Sequence, residues 1–461
     1  MSNPFFETWQ TPFNMPPFET IQDHHFEAAF EQGFSEHWAE IEAIANNPAP
    51  ASFDNTLVAL EASGQLLTKT ADVFFNLVST DTNEALQAIE EAVSVQWSNH
   101  NSNLYNHLGL FQRIKTLFLD LPNLGLQPDQ QLLLETLYND FVRGGVELNA
   151  PARQQIRDIN EQLATLETRF GHNVLAETNQ FELVLTREDD LRGLPESVLA
   201  AARNEAAQRG HPEGHYAFSI SRSSFTPFMQ FADNRALRET LFEAYTRCGG
   251  LGNAADNKAL AVEIALLRHQ RAQIKGFASH AHYMLEDRMA GHPSQVHQLL
   301  DQVWQPAQKK AQQEAANLQA RIRQEGQNFE LAPWDWWYYT EKLRSERFDL
   351  NETETKPYFA LEQVRDGAFE VARALFGITF KPAPALPTYH PDVQSYEVID
   401  ADGTLIGIFL ADYFMRPSKR GGAWMSQFRG QSNLGSNIRP IIVNCCNFPK
   451  ASPCLLGLDE V

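Results

Sequence analysis

The sequence predicts a mainly α-helical protein that carries a small β-sheet near its C-terminal end. Three observations support this. Over the first three quarters of the chain, apolar residues recur at steps of three and four, the period of a helix buried along one face. Near residue 385 that period gives way to β-rich runs. Between two of these runs stands Asp402-Gly403, and Asp-Gly between β-rich segments is a strong short hairpin signal. The bulk composition fits a large globular chain: 461 residues, 43% hydrophobic and 11% aromatic. That length suits about two or three domains.

The elements follow in order. In "DTNEALQAIEEAVSVQW", Leu86, Ile89, Val93 and Trp97 fall on one stripe, with Asp81 or Thr82 placed to cap its start. "ARQQIRDINEQLATLETRFGHNV" sets Ile156, Ile159, Leu163, Leu166, Phe170 and Val174 on a longer stripe, enough for a helix packed along its length. "NKALAVEIALLRHQRAQIKG" and "PSQVHQLLDQVWQPAQKKAQQEAANLQARIRQEG" continue the helical pattern. Between them and the earlier helices, "HPEGHYAFSISRSSFTPFMQFADNRALRE" reads as a short strand and loop. It sets a domain boundary at residue 230, giving segments 1–230 and 231–461. Further on, "PALPTYHPDVQSYEVIDADGTLIGIFLADYF" reads as strand, turn and second strand (404–414). The second strand is apolar on both faces, the mark of a covered strand. "RPSKRGGAW" reads as a turn and "RPIIVNCCNF" as a third strand. Little chain remains to cover this sheet, so large exposed apolar patches and poor solution behaviour are expected.

The net charge of −21 argues against nucleic acid and against an anionic membrane surface as partners. Four cysteines, Cys248, Cys445, Cys446 and Cys454, are too few for a disulfide framework. "CCNFPKASPC" lacks the CxxC step and any histidine, so it reads as buried thiols rather than a metal site. The N-terminus shows no signal peptide, and no run of about 18 apolar residues is present, so a cytoplasmic setting is the expectation.

No pair of histidines completes the HExxH pattern, in which two imidazoles one helical turn apart bind a metal. His211 and His215 have the spacing, but Pro212 and Gly214 oppose a helix, so "HPEGH" reads as a surface turn. His24 with His25, and His280 with His282, lack both spacing and a carboxylate partner. His390 reads as the anchor of a strand start. No G-x-S-x-G, P-loop or G-x-G-x-x-G occurs, and "KRGGAW" lacks the strand-to-helix context of a phosphate cradle. By its own residues the chain holds no complete catalytic constellation.

Eight stretches in order resemble one family. They are "FDNTLVALEASGQLL", "VFFNLVSTDTNEALQ", "FADNRALRETLFEAYTRC", "PWDWWYYTEKLRSERFDL", "KPYFALEQV", "YHPDVQSYEV", "DYFMRPSKRGGAWM" and "RPIIVNCCNFPK". Together they are similar to the zinc peptidases of the thimet oligopeptidase type, with the bacterial dipeptidyl carboxypeptidase branch the nearest in pattern. The resemblance implies a helical fold whose two halves flank a deep channel, 1–230 forming one wall and 231–461 the scaffold of the catalytic part. It implies a zinc-dependent, monomeric peptidase acting on short peptides and releasing C-terminal dipeptides. An oligopeptidase cutting internally and a non-catalytic peptide-binding module are the alternatives.

In that family "LLGLDEV" resembles the segment just before the HExxH helix. The expectation is therefore that the zinc ligands lie beyond Val461, so that these residues alone bind no zinc and are inactive. For substrate contact, two readings stand at each candidate. Gly407, Ile408 and Phe409 offer a strand edge for an extended peptide, or an interior strand where Gly407 admits a packed helix. Tyr338 and Tyr339 line the channel or pack as buried aromatics. Arg416, with Lys419 and Arg420, meets a substrate carboxylate or forms a solvated turn.

Overall fold

Helices fill the chain as far as Phe376, and most of the strands follow them. The computed structural model describes residues 2–348, 352–450, 453–458 and 460–461. Asp349, Leu350, Ala451, Ser452 and Asp459, which belong to stretches quoted above, lie outside the described residues.

The first helices are α1 (His25–Ala45), α2 (Ala59–Glu61), α3 (Gln65–Thr80), α4 (Glu84–Leu104), α5 (Leu108–Leu119), α6 (Pro128–Gly144) and α7 (Ala150–Gln180). A two-stranded antiparallel sheet, β1 (Leu183–Leu185) with β2 (Tyr216–Phe218), brackets α8 (Glu196–Gln208). Then come α9 (Arg222–Phe231), α10 (Arg235–Thr246), α11 (Lys258–Ile274), α12 (His280–Leu285) and α13 (Pro293–Gln324). α14 (Trp336–Phe348), α15 (Glu352–Thr355) and α16 (Leu361–Phe376) complete the helices.

The cap of α4 is Asn83, whose side chain accepts from the Leu86 N–H at 2.9 Å, and not Asp81 or Thr82. Those two residues serve a different contact. Thr82 N–H donates to the Ser418 carbonyl at 2.8 Å, and Asp81 accepts from the Ser418 hydroxyl at 2.8 Å. The long stripe of α7 buries Ile156, Ile159 and Leu163, but by Val174 it faces solvent.

The large sheet has five strands in the order β3-β4-β5-β7-β6: β3 (Thr379–Pro382), β4 (Gln394–Ile399), β5 (Leu405–Phe414), β6 (Trp424–Arg429) and β7 (Ile441–Phe448). The hairpin lies where Asp402-Gly403 predicts it. Gly403 adopts φ +85°, which glycine tolerates best, and the Asp400 N–H closes the turn on the Thr404 carbonyl at 2.8 Å. Two features escape the sequence reading. The run β5–β7 is parallel, and the end of the "RPSKRGGAW" turn opens into the edge strand β6.

The cover for this sheet comes from the other end of the chain. Phe26, Phe30, Phe74 and Val73 of α1 and α3 form one core with Ile408, Leu410, Ile441 and Val443. The rings of Phe26 and Phe30 lie 5.0 and 5.2 Å from Phe74, close to edge-on. The N-terminal segment also clamps on. Phe13 and Asn14 hold positive φ, a costly conformation for a bulky residue, and their carbonyls accept from Arg429. The expectation of a sheet short of cover is therefore corrected for this face. It also means that residue 230 does not separate two cores, because the largest core is built from both segments. On the opposite face α16 covers only part, with Phe369 stacked 4.0 Å from Phe380, and Met425 remains exposed.

Candidate functional site

β5 carries the first group of candidate residues. Gly407 pairs with Val398 and Ile408 with Glu397 of β4, while on the other side Ile408 pairs with Ile441 and Phe409 with Ile442 of β7. The Ile408 N–H donates to the Pro440 carbonyl at 3.0 Å. Both sides of the backbone are thus engaged, so the strand-edge reading of Gly407–Phe409 is corrected: an extended peptide has no free edge to join there. The packed-helix reading of Gly407 is corrected as well. A Cβ there would sit 3.1 Å from Cγ and 3.2 Å from the carbonyl oxygen of Pro440, in the segment entering β7. Ile408 points into the core, whereas Phe409 stays half-buried on the opposite face. Register places Ile442, Asn444, Met425 and Gln427 on that face with it, giving a partly open sheet surface of mixed polarity.

Tyr338 and Tyr339 are buried in α14. The Tyr338 hydroxyl donates to Asp233 at 2.7 Å, and the Arg238 guanidinium lies 4.1 Å over its ring. Burial, then the Asp233 hydrogen bond, raises the Tyr338 pKa. Beside it the fully buried Asp335 binds Arg235 and Arg238, each at 3.0 Å. Tyr339 packs with Leu318 and Ile322 of α13. The pair fastens α14 to α10 and α13, which is the aromatic-packing reading.

Arg416 sits at the end of β5 in a buried charge cluster, so the solvated-turn reading of it and Lys419 is corrected. Asp412 is the centre. It accepts from Arg416 at 2.8 and 2.6 Å, from the Tyr389 hydroxyl at 2.6 Å, and from Lys419 at 3.0 Å. Lys419 also donates to the Asp412 carbonyl at 2.7 Å, and its side chain is fully buried, as is that of Asp412. Burial pushes the Asp412 carboxyl upward, but the Arg416 hydrogen bonds and the Lys419 charge outweigh it and hold the pKa low. Burial lowers Lys419. Arg416 then reaches across to the Thr80 carbonyl at 2.8 Å, and the Arg420 N–H meets the Ser79 carbonyl at 2.9 Å. With every Asp412 oxygen committed, the cluster joins sheet to α3 and has no free group for proton transfer. Of the three basic residues only Arg420 is exposed, its guanidinium 4.9 Å over Trp424.

Sequence reasoning missed Asp412, Tyr389 and Asp335. The available signals were a lone acid inside an apolar strand with Arg four residues on, and a lone acid between tryptophans. A buried carboxylate requires partners, so each predicts a cluster.

The remaining chemistry is quickly bounded. Burial and the Asp412 charge push Cys445 up to about 12, and burial takes Cys454 to about 11, so neither is a thiolate nucleophile. Among the described residues no three His, Cys, Asp or Glu side chains are gathered to hold a metal. The rings of His211 and His215 stack at 6.1 Å, and His211 pairs with Glu182 at 2.9 Å. His37 and His100 face each other at 2.9 Å between α1 and α4, without a third ligand among the described residues. Among those residues no helix is long and apolar enough to cross a membrane.

Comparison with known proteins fits this picture. The family model described as peptidase family M3 matches residues 228–461. The dipeptidyl carboxypeptidase of Salmonella typhimurium is 34% identical over 465 residues, covering 100% of this chain and 68% of its own length. Oligopeptidase A of the same organism is 31% identical over 470 residues, again 100% and 68%. Saccharolysin of Saccharomyces cerevisiae is 24% identical over 346 residues, 71% of this chain and 48% of its own. Membership of a metallopeptidase family implies a metal cofactor, and the described residues do not fit one. The extent of these matches places the chain in peptidase family M3.

Proposed function

We propose that this chain is the scaffold portion of a zinc-dependent dipeptidyl carboxypeptidase, an enzyme that releases dipeptides from the free C-termini of short peptides. The observation that carries this reading is the 34% identity to dipeptidyl carboxypeptidases along the whole chain, against 31% for oligopeptidase A. The zinc ligands, on this reading, are residues outside these 461.

Residues 1–230 supply one wall of the peptide channel, and 231–461 support the catalytic part. The division is functional, since packing crosses it. Phe409 is the candidate assigned to peptide contact because its ring is only half-buried, although Phe369 of α16, Phe380 and Tyr396 pack around it. Tyr338, Tyr339 and Arg416 act one step back, holding α14 and the end of β5 in place.

The test is to incubate the product of the full reading frame with N-acetylated peptides bearing either a free or an amidated C-terminus. Only C-terminal dipeptides should appear, and only from the free acids. Internal fragments would instead support an oligopeptidase, the second reading, which rests on the 31% identity to oligopeptidase A over 100% of this chain and 68% of that protein. The 461-residue chain alone should carry no stoichiometric zinc and cleave nothing; one equivalent of bound zinc by metal analysis would overturn the scaffold reading.

A further inference from the structure

One apolar stripe runs along most of α13. Leu300, Val303, Ala307, Ala311, Leu318 and Ile322 recur at steps that keep them on one face of the helix. The C-terminal part of this stripe is an interface already: Leu318 and Ile322 are buried and pack with Tyr338 and Tyr339 of α14. Upstream the cover stops. Every residue from 297 to 314 is exposed, which is about 27 Å of helix at 1.5 Å per residue. Within that run Leu299, Leu300, Val303 and Trp304 are each between 55% and 63% exposed.

A bare helix of this length is marginal in water, since most helical stability in proteins comes from packing one face against a neighbour. Trp beside two Leu and a Val is the composition of a contact surface, not of a solvated arm. The shortage of cover is also one-sided. Among the described residues, the large apolar side chains exposed before residue 230 are Phe6, Phe13, Leu108, Leu119, Leu132 and Val174, set singly along the chain. Those after it include the stripes of α11, α13 and α16. The family match covers this second part, at 228–461. The Salmonella dipeptidyl carboxypeptidase matches 100% of this chain with only 68% of its own length, so a protein of that size has further polypeptide to lay on such a stripe.

We propose that the uncovered part of α13 is an intramolecular docking surface, on which an amphipathic helix of the polypeptide following Val461 lies along Leu300, Val303 and Trp304. The contact extends the one that α14 makes at Leu318 and Ile322. It rests on the reading above, that the functional protein includes residues outside these 461. A segment of the same chain is present at high effective concentration throughout folding, whereas a second copy reaches the stripe only by diffusion. A helix suits the surface because ridges of side chains three and four residues apart interlock with those of another helix.

Amide hydrogen exchange read by mass spectrometry compares peptides from 297–314 in the product of the full reading frame and in the 461-residue chain. In the full product these amides should exchange about a hundredfold more slowly; equal rates would overturn the proposal. Protection that grows with the concentration of the 461-residue chain would give the stripe to a second copy and defeat the proposal too, as would a reading frame that stops at Val461. Should the 461-residue chain stay out of solution, Leu300→Asp with Val303→Asp in the full product decides. Its melting midpoint should fall by about 5 °C or more, because two charges enter a contact without partners. An unchanged midpoint refutes the docking. Dipeptide release is scored separately on the same samples. A full product that protects α13 and cleaves nothing supports the docking while removing the peptidase reading, and one that releases dipeptides with α13 unprotected does the reverse.

Discussion

The helices before residue 146 and the helices α11, α13 and α16 share one amphipathic design and meet opposite fates. α1, α3, α5 and α6 enclose Phe30, Phe74, Ile114 and Phe141 completely. α13 leaves Leu299, Leu300, Val303 and Trp304 on one exposed stripe, α11 leaves Val262 and Leu266, and α16 leaves Val371, Leu375 and Phe376. An apolar stripe states that a helix face is to be covered, without stating by what. Where the partner helix lies in the described residues, the stripe becomes core. Where it does not, a contiguous apolar surface remains, and surfaces of that kind mark interaction sites. The exposed apolar surface expected from the sequence is thus present, but it lies chiefly on these helices and only partly on the sheet.

This contrast can be tested, beginning where the effect is largest. Asp412→Ala strands Arg416 and Lys419 in the junction between sheet and α3. Removing one member of a buried charge cluster costs about 3–5 kcal/mol, so the urea midpoint should fall steeply. Because the largest core is shared, both segments should lose structure in one transition. Separate transitions for helix and sheet signals would break the idea of a common core. Leu410→Ala, at a fully buried site of that core, should cost about 2–5 kcal/mol, and the same single transition should shift.

The His37–His100 pair sharpens the enclosed side of the comparison. Burial, then the neighbouring His37, lowers His100 to about 4 from 6.5. The folded state therefore prefers the neutral ring. Its contribution is complete above pH 6.5 and is lost as pH falls towards 4, by up to about 3 kcal/mol. His100→Gln should flatten the stability profile across that window relative to wild type. An unchanged slope would show that the ring titrates normally. The smallest effect on stability belongs to the exposed side. Val371→Lys with Leu375→Glu should move the folding free energy by no more than about 0.5 kcal/mol per site. Self-association measured by light scattering should nevertheless decline, and its persistence would remove α16 from the sticky surface.

The parts legible in the sequence were those set by local chemistry. The stripes of α4 and α7, the Asp402-Gly403 hairpin and the strand at 441–448 all follow from spacing and turn preference. What was not legible depended on distant residues. Asp81 and Thr82 fit a helix cap by sequence, yet Ser418 engages both, so Asn83 caps α4 instead. "RPSKRGG" looks like a solvated turn, but Asp412 draws Arg416 and Lys419 inside. Gly407 looked like an invitation to a ligand, and Pro440 fills the space. Among the candidate contacts, Phe409 stays half-buried in an aromatic group with Phe369, Phe380 and Tyr396, a grouping that depends on α16 folding back over the sheet.

By itself the sequence determined the mainly helical class, the small sheet, the family and the lack of a recognisable metal-binding motif. These depend on periodicity, turn chemistry and ordered motifs, all of which are written locally along the chain. Tertiary structure alone decided that the first helices roof the late sheet, that β5 lies inside it, and that Asp412 anchors the cluster joining them. Such facts depend on which surfaces meet across hundreds of residues, where burial and charge pairing choose among partners that the local pattern leaves equivalent.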